Sequence, residues 1–268
     1  MDSVFCTQHG GSTLKVRLLG SLELTDGHIT FKIPGEKLRA IVAALALSPN
    51  RPVSRNDLID ELWGEELPRN AENSLQGHVA RLRRVIESRT GHDGLRELIR
   101  TSGFGYALAL PESDVDASLF ESLVREATAL GRSDPDRSVR LLTEALSLWR
   151  GPALLDAGQG AISRMAYTRL TEIRLTAYEH LFDAELARGL HREVITELQQ
   201  LHAQYPLRER FCEQLITALY RSGRQAEALD AYHRTRQRLS HHLGLEPGEA
   251  LRARFQGILR QEPVPAGR

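Results

Sequence analysis

The chain has 268 residues, enough for one large domain or two ordinary ones, and 41 % of them are apolar, enough to fill real cores. Its 35 basic and 35 acidic residues cancel to a formal net charge of +0, which excludes a polycationic nucleic-acid coat but leaves a local basic patch open. Cys6 and Cys212 form no CxxC, the start MDSVFCTQHGGS has no basic-then-apolar secretion pattern, and no segment is apolar for long enough to span a bilayer, so a reducing, cytoplasmic setting without disulfides, a cysteine zinc site or a membrane anchor is expected.

Residues 1–13 read as a loose tail. Leu14–Leu19, Ser21–Leu24 and His28–Ile33 are short β-like segments punctuated by Gly20 and Asp26-Gly27, which predicts a small antiparallel sheet. Lys37–Leu47 is helical and ends before Pro49-Asn50. A second helix is expected over Arg55–Trp63, capped by Ser54 and stopped by Gly64. A third runs from Ala71 to about Glu87, with Asn70 as its cap. A polar loop at Arg89–Gly94 precedes a glycine-broken hairpin at Ile99–Ala109. Pro111–Asp116 reads as a linker or the start of a second domain.

From Ala117 to about Gln261 the pattern is almost wholly helical. Ile162–Leu190 holds one long helix or two, and helices follow at about Arg192–Gln204, Leu207–Arg221, Gln225–Leu243 and Pro247–Leu259. Their joints are Gly189, Tyr205-Pro206, Gly223 and Gly244. ARGLHREVITEL from Ala187 matches YRSGRQAEALDAY from Tyr220, with Gly189 and Gly223 lying 34 residues apart, the period of tetratricopeptide helix pairs. LGRSDPDRSVRLLTEAL from Leu130 has the same style of turn and helix. An ordinary helical bundle is the competing reading.

On the third helix, Leu75, Val79, Leu82 and Ile86 recur at helical spacing and should face the core. Asn73, Gly77, Ala80, Arg81 and Arg84 then fall on the opposite face, flanked by Gln76 and Arg83. That set suits a DNA major groove. Gly77 and Ala80 permit close approach, Gln can pair with adenine, and Arg can pair with guanine. Further cations can rest on phosphates. Arg81 is the best base-edge candidate, with Arg83 and Arg84 as broader DNA contacts. The competing reading is a solvated RLRR surface. In the hairpin, Gly103 and Gly105 bracket Phe104 and permit a tight turn or a close approach. Arg100 and Thr101 precede that turn and could meet a phosphate or a minor-groove edge. Tyr106 is expected to pack the hairpin inward. No GxxxxGK[ST] occurs, so nucleotide hydrolysis has no support.

SLQGHVARLRR and TSGFGYAL resemble the OmpR-type winged helix. Joined to VSRNDLIDELWGEELPRNAENSLQGHVARLRR, DVDASLFESLV, EALSLWRGPAL, YPLRER, ALYRSGRQAEALDAYHRTRQRL and LGLEPGEALR, they make the chain from Leu14 to Pro263 similar to the Streptomyces antibiotic regulatory proteins, pathway-specific activators of actinobacteria. The resemblance implies a mostly α fold with small β sheets: an N-terminal winged helix-turn-helix over residues 14–110 and a C-terminal tetratricopeptide-like bacterial transcriptional activation domain over residues 115–263. It implies a non-enzymatic activator of secondary-metabolite genes that binds promoter direct repeats through more than one protomer and recruits RNA polymerase holoenzyme. The expected setting is the cytoplasm, on the nucleoid.

Carried onto this chain, the family's reading face falls at Ser74, Gln76, Gly77, Arg81 and Arg83, and the wing near Arg100–Gly105. The full expected DNA-binding set is Asn73, Ser74, Gln76, Gly77, Arg81, Arg83, Arg84, Arg100 and Thr101. Many members carry a proline pair before the wing's Gly-Tyr, whereas GFGY here is closer to the OmpR-type wing. Larger relatives append an ATPase module; the short, two-module form is the expectation. No cofactor is implied.

Asp57, Asp60, Glu61, Glu65 and Glu66 form an acidic stretch that phosphate would repel. Glu65, Glu66 and Arg69, in the loop before the third helix, are candidate polymerase contacts, with a solvated surface as the alternative. Trp149 is expected to pack, and Arg208 and Arg210 to cap or bridge helices. His202, His233, His241 and His242 make no credible metal set and are expected at solvated surfaces and helix ends. No nucleophile–base arrangement is supported, so no catalytic residue is assigned. A tetratricopeptide scaffold with a merely basic surface helix, and a repressor using the same DNA contacts, are the other functional readings.

Overall fold

The computed structural model describes residues 14–90, 98–131 and 133–261. The expected tail at residues 1–13, with Cys6, and most of the loop expected after Arg89 lie outside the described residues. The chain forms two compact units. One runs through Arg125 and takes in Glu144–Arg174; the other is Glu126–Thr143 together with the chain from Leu175. Among the described residues the fold is mostly helical, with two three-stranded antiparallel sheets.

The first unit opens with β1 (Lys15–Arg17), β2 (Glu23–Thr25) and β3 (Thr30–Phe31), paired in that order. The register sets Val16 beside Leu24 and Leu24 beside Phe31, so one buried residue from each strand forms a continuous apolar rung. The β2–β3 turn is closed by the Asp26 carboxylate, which accepts from the His28 and Ile29 N–H groups at 2.9 Å each. Helix α1 (Glu36–Ala46) is buried along nearly its whole length, as its run of alanine and leucine requires.

Pro111–Asp116 does not run as a free linker. Val115 bridges Val16, and the Asp116 carboxylate accepts from the Leu18 and Leu19 N–H groups at 2.6 and 3.1 Å. The Trp-Arg-Gly-Pro motif returns to the same edge. Arg150 and Leu154 donate backbone N–H groups to Leu19 and Leu18 at 2.8 Å each, and the Asp156 carboxylate accepts from Leu22 N–H at 2.7 Å. The Arg150 guanidinium meets Glu23 at 2.8 Å. Trp149 packs edge-on against Phe120 with ring centres 5.3 Å apart, in the packing role expected of it. These contacts explain why sequence far beyond the DNA-reader candidate is bound into the first unit.

Helices α4 (Asp116–Leu130), α5 (Pro135–Ser147) and α6 (Ala161–Ala187) each contribute residues to both units. The Ile162–Leu190 stretch is thus one helix, not two. The second unit adds α7 (Ile195–Gln204), α8 (Glu209–Arg221), α9 (Gln225–Leu243) and α10 (Glu249–Leu259). Its core gathers Phe182, Leu198, Phe211, Leu215, Ile216, Leu219, Ala231 and Ile258, with α8 packed against α7, α9 and α10. Arg208 and Arg210 bridge helices as expected, reaching Glu179 at 2.5 Å and Asp183 at 2.6 Å on α6.

The 34-residue sequence repeat has a backbone counterpart. Gly189 and Gly223 both adopt positive φ, at 86° and 80°. Leu190 N–H donates to Glu185, and Arg224 N–H donates to Leu219, each five residues back. The copies then diverge: α9 starts at Gln225, whereas His191–Val194 are turns and α7 begins only at Ile195.

His202 departs from the solvated position expected of it. Ile195, Leu198 and His202 are spaced along one stripe of α7, and all three are buried. Thr235 stands 3.3 Å from its Nε2. Burial first, then Arg238 and Arg234, push the imidazole down to about 4, so it is neutral at physiological pH. Cys212 is buried, and that burial pushes its thiol up to about 11, leaving an inert side chain. His233, His241 and His242 are exposed as expected.

Candidate nucleic-acid interface

The candidate interface lies entirely in the first unit and consists of α3 (Ala71–Thr90) and a hairpin of β5 (Ile99–Ser102) and β6 (Gly105–Leu108). Behind them, β4 (Val53–Ser54) leads into α2 (Arg55–Trp63) and pairs with β6, giving the sheet order β4-β6-β5.

Each helix start is fixed by a local side chain. The Ser54 hydroxyl accepts from Asp57 N–H at 3.0 Å and donates to the Asp57 carboxylate at 2.7 Å. Asn70 Oδ1 accepts from Asn73 N–H at 3.1 Å. At the other end of α2, Gly64 donates its N–H to Asp60 O, with φ at 53°. Lys37 Nζ donates to Leu62 O at 2.7 Å and sits 4.9 Å from the Trp63 ring centre. It therefore places a cation at the negative end of α2.

The two faces of α3 separate as their spacing requires. Leu75, Val79, Leu82 and Ile86 are each no more than 1 % exposed. Asn73, Gln76, Gly77, Ala80, Arg81 and Arg84 are all exposed. A Cβ at Gly77 would meet nothing within 4 Å, so the open space there is available to whatever approaches the helix. Ser74 is half-buried and returns its hydroxyl to Asn70 O at 2.9 Å. His78 lies against Trp63 and is held below its ordinary range by burial, then by Lys37 and Arg81. It therefore adds no cation to this face at neutral pH.

Arg83 is placed differently from its neighbours. Its Nε and Nη2 donate to Ile99 O at 3.2 and 2.5 Å, and Nη2 also donates to the Thr101 hydroxyl at 3.0 Å. Two members of the expected DNA-binding set, one from the helix and one from the wing, are thus engaged with each other across α3 and β5. One planar guanidinium ties the helix to the hairpin. Sequence spacing puts Arg83 on the flank of the helix but does not disclose this long-range partner.

The hairpin has two further anchors. Arg55 N–H donates to Phe104 O at 3.0 Å. Gly105 faces Ser54 in the β4–β6 pairing, and a Cβ there would lie 1.8 Å from Val53 O. Gly105 is therefore required by close approach. Gly103 has nothing within 4 Å of an added Cβ and no positive φ, so only one of the two bracketing glycines is demanded by geometry. Tyr106 is 4 % exposed and packs inward, whereas Phe104 is 85 % exposed at the tip. Arg100 and Thr101 are exposed on β5.

The acidic stretch divides. Glu65, Glu66, Leu67 and Arg69 are exposed in the α2–α3 loop. Glu61 is not part of that surface: it is 5 % exposed. Its carboxylate accepts from Ile162 N–H at 2.7 Å, Ser163 N–H at 3.2 Å and Ser163 Oγ at 2.5 Å. It caps the start of α6, where orphan N–H groups and the positive helix end favour an anion. A run of carboxylates in sequence conceals which member turns inward.

Among the described residues, no group of three or more His, Cys, Asp or Glu side chains could hold a metal ion, and no helix is long and apolar enough to cross a membrane.

Residues 34–108 match the family model for the transcriptional regulatory protein C-terminal domain, and residues 115–259 match the bacterial transcriptional activator domain. Transcriptional regulator RedD of Streptomyces coelicolor is 45 % identical over 254 residues, covering 95 % of this chain and 73 % of that protein. Regulatory protein DnrI of Streptomyces peucetius is 34 % identical, covering 93 % of both. The solved structure of Mycobacterium tuberculosis EmbR, in complex with a low affinity phosphopeptide, superimposes with a TM-score of 0.86 at 36 % identity over 94 % of this chain and 66 % of that one. Two modules matched in this order, with relatives this similar along nearly the whole chain, place it in the Streptomyces antibiotic regulatory protein family of winged-helix, DNA-binding transcriptional regulators, which are not enzymes.

Proposed function

We propose that the chain is a sequence-specific activator of secondary-metabolite, antibiotic-type biosynthetic genes, acting on the nucleoid in the cytoplasm. Protomers occupy promoter direct repeats side by side and recruit RNA polymerase holoenzyme. The observation that carries this reading is the exposed face of α3, with Gln76, Gly77, Arg81 and Arg84 beside an anchored hairpin. A helix with a small-residue gap and two outward arginines fits a major groove. Arg81 is assigned to a base edge and Arg84 to phosphate or base. Asn73, Ser74, Arg100 and Thr101 lie at the margins, and Arg83 acts chiefly by holding the hairpin.

The functional division proposed is a winged helix-turn-helix reader over residues 14–110 and an activation domain over residues 115–263. The congruent turns at Gly189 and Gly223 support a tetratricopeptide-like arrangement for the latter. Glu65, Glu66 and Arg69 are assigned to polymerase contact, supported by their shared exposure in the α2–α3 loop. DNA occupancy raises the local concentration of polymerase at the promoter, so catalysis is unnecessary.

The test is footprinting of the purified protein on promoters of biosynthetic genes, paired with transcription in vitro from the same templates. Protection of paired direct repeats with increased transcript is the expected result. Protection with decreased transcript would assign repression, and absent or salt-insensitive binding would remove the DNA reading.

A further inference from the structure

The second unit contains a groove of about 380 Å³ between α7, α8 and α9. Leu215 and Leu219 of α8 line its apolar side, and His202 of α7 also lines it. Asp230, Arg234 and Arg238 line it from α9, together with Glu227, whose carboxylate is held by Arg224 at 2.7 Å. On a helix Asp230, Arg234 and Arg238 recur at intervals of four residues, about 6 Å of rise apiece, and so form one stripe. The stripe is polarised, with a carboxylate toward the start of α9 and two guanidiniums toward its end.

The pairing of the other arginines on and beside α9 makes this stripe unusual. Arg224 is bonded to Glu227 at 2.7 Å, and Arg236 to Glu246 at 2.8 Å. Among the described residues Arg234 and Arg238 have no ion pair, and neither does Asp230, although Asp230 and Arg234 are one turn apart. Beneath them, His202 is 5 % exposed, and its buried Nδ1 has no hydrogen-bond partner. Buried polar atoms are almost always satisfied, so an unpartnered ring nitrogen on a residue that lines the groove is unusual. The neutral ring adds no charge of its own beneath the two guanidiniums.

From this arrangement we infer that the groove binds a small polar metabolite carrying an oxyanion, carboxylate or phosphate, held between Arg234 and Arg238. A hydroxyl or amine on the same molecule donates to Asp230, and its carbon body lies on Leu215 and Leu219. Two guanidiniums one turn apart can clamp one oxyanion from both sides, where a single surface arginine would offer only a screened contact. The groove lies in the second unit, so such a ligand would act through the activation unit.

The experiment uses the full chain with two probes, inorganic pyrophosphate and citrate, against KCl at matched ionic strength. Binding is read by thermal midpoint and by the His202 ring proton resonances at fixed pH. The expected result is a saturable shift of the His202 signals and a rise in midpoint of about 3 °C at tenfold excess over Kd with at least one probe. A response to pyrophosphate alone assigns the phosphate class, and to citrate alone the carboxylate class. Arg234→Gln/Arg238→Gln should abolish both responses while leaving the midpoint in KCl unchanged. If that double variant loses cooperative unfolding, Arg234→Gln alone, on an exposed residue, should weaken binding at least tenfold. Responses no larger than in KCl, or undiminished by these substitutions, would mean an adventitious ion only and would overturn the assignment.

Discussion

Replacing Arg83 by methionine should weaken DNA binding without removing a phosphate contact. The side chain makes two close approaches to Ile99 O and one to the Thr101 hydroxyl, all from one guanidinium. A hydrogen bond from a charged donor contributes about 1.5–3 kcal/mol. Two of these share one acceptor and the site is only half-buried, so the three together are worth roughly 1–2 kcal/mol rather than their sum. If DNA must re-order the released hairpin, affinity falls by that amount, or about 5–30-fold. The slope of log K against log salt should stay as it was. Loss of a phosphate contact would instead reduce the slope by about 0.9. Arg83→Lys separates the two ideas further. Lysine keeps the charge but cannot form the planar fork, so it should rescue a phosphate contact and fail to rescue the lock. Fluorescence anisotropy over a KCl series measures both quantities. A slope reduced by about one unit in Arg83→Met, with near-normal affinity in Arg83→Lys, would make Arg83 a phosphate contact and not a lock on the hairpin.

Gly105→Ala should cost several kcal/mol or prevent folding of the first unit, because the added methyl lies 1.8 Å from Val53 O, whereas Gly103→Ala should be nearly neutral; urea midpoints compare them. Glu61→Gln should destabilise the first unit by about 1–3 kcal/mol, since an amide cannot accept from all the groups at the start of α6 as the carboxylate does; a denaturant midpoint unchanged from wild type would contradict the capping role. His202 gives a pH signature. As pH falls, the unfolded chain takes up the proton near 6.5 and the folded chain only near about 4. The unfolded state therefore binds more protons in that window, and the contribution is full above the unfolded value and falls away toward pH 4, by roughly 3 kcal/mol in all. His202→Gln should flatten that limb in urea titrations at successive pH values. Reversing Glu65 and Glu66 to lysine should lower promoter output while DNA affinity does not fall; unchanged output would dismiss the polymerase-contact proposal.

Much of the candidate interface is local, and local chemistry is legible. Ser54, Asn70 and Gly64 mark helix ends through bonds within four residues. The seam Leu75, Val79, Leu82 and Ile86 follows from helical period alone, and the exposed face then follows by exclusion. The parts not legible depend on partners distant in sequence. Arg83 meets Thr101 across 18 residues, Glu61 meets Ser163 across 102, and Asp116 meets Leu18 across 98. No local pattern distinguishes an outward arginine from one folded onto a strand, or an exposed glutamate from one capping a helix a hundred residues away. His202 is the exception that period could have caught. Its spacing from Ile195 and Leu198 puts it on the buried stripe, but the polarity of histidine argued for the surface.

If the exposed face of α3 reads sequence, Arg81→Ala should lose discrimination between DNA sequences. The measurement is the ratio of affinities for a footprinted promoter repeat and a scrambled duplex, at one salt concentration, on a protein whose unfolding midpoint matches the wild type. A lost base contact of about 1–3 kcal/mol should lower that ratio roughly 5–150-fold. A ratio unchanged from wild type would mean that Arg81, and the face it centres, does not read the DNA.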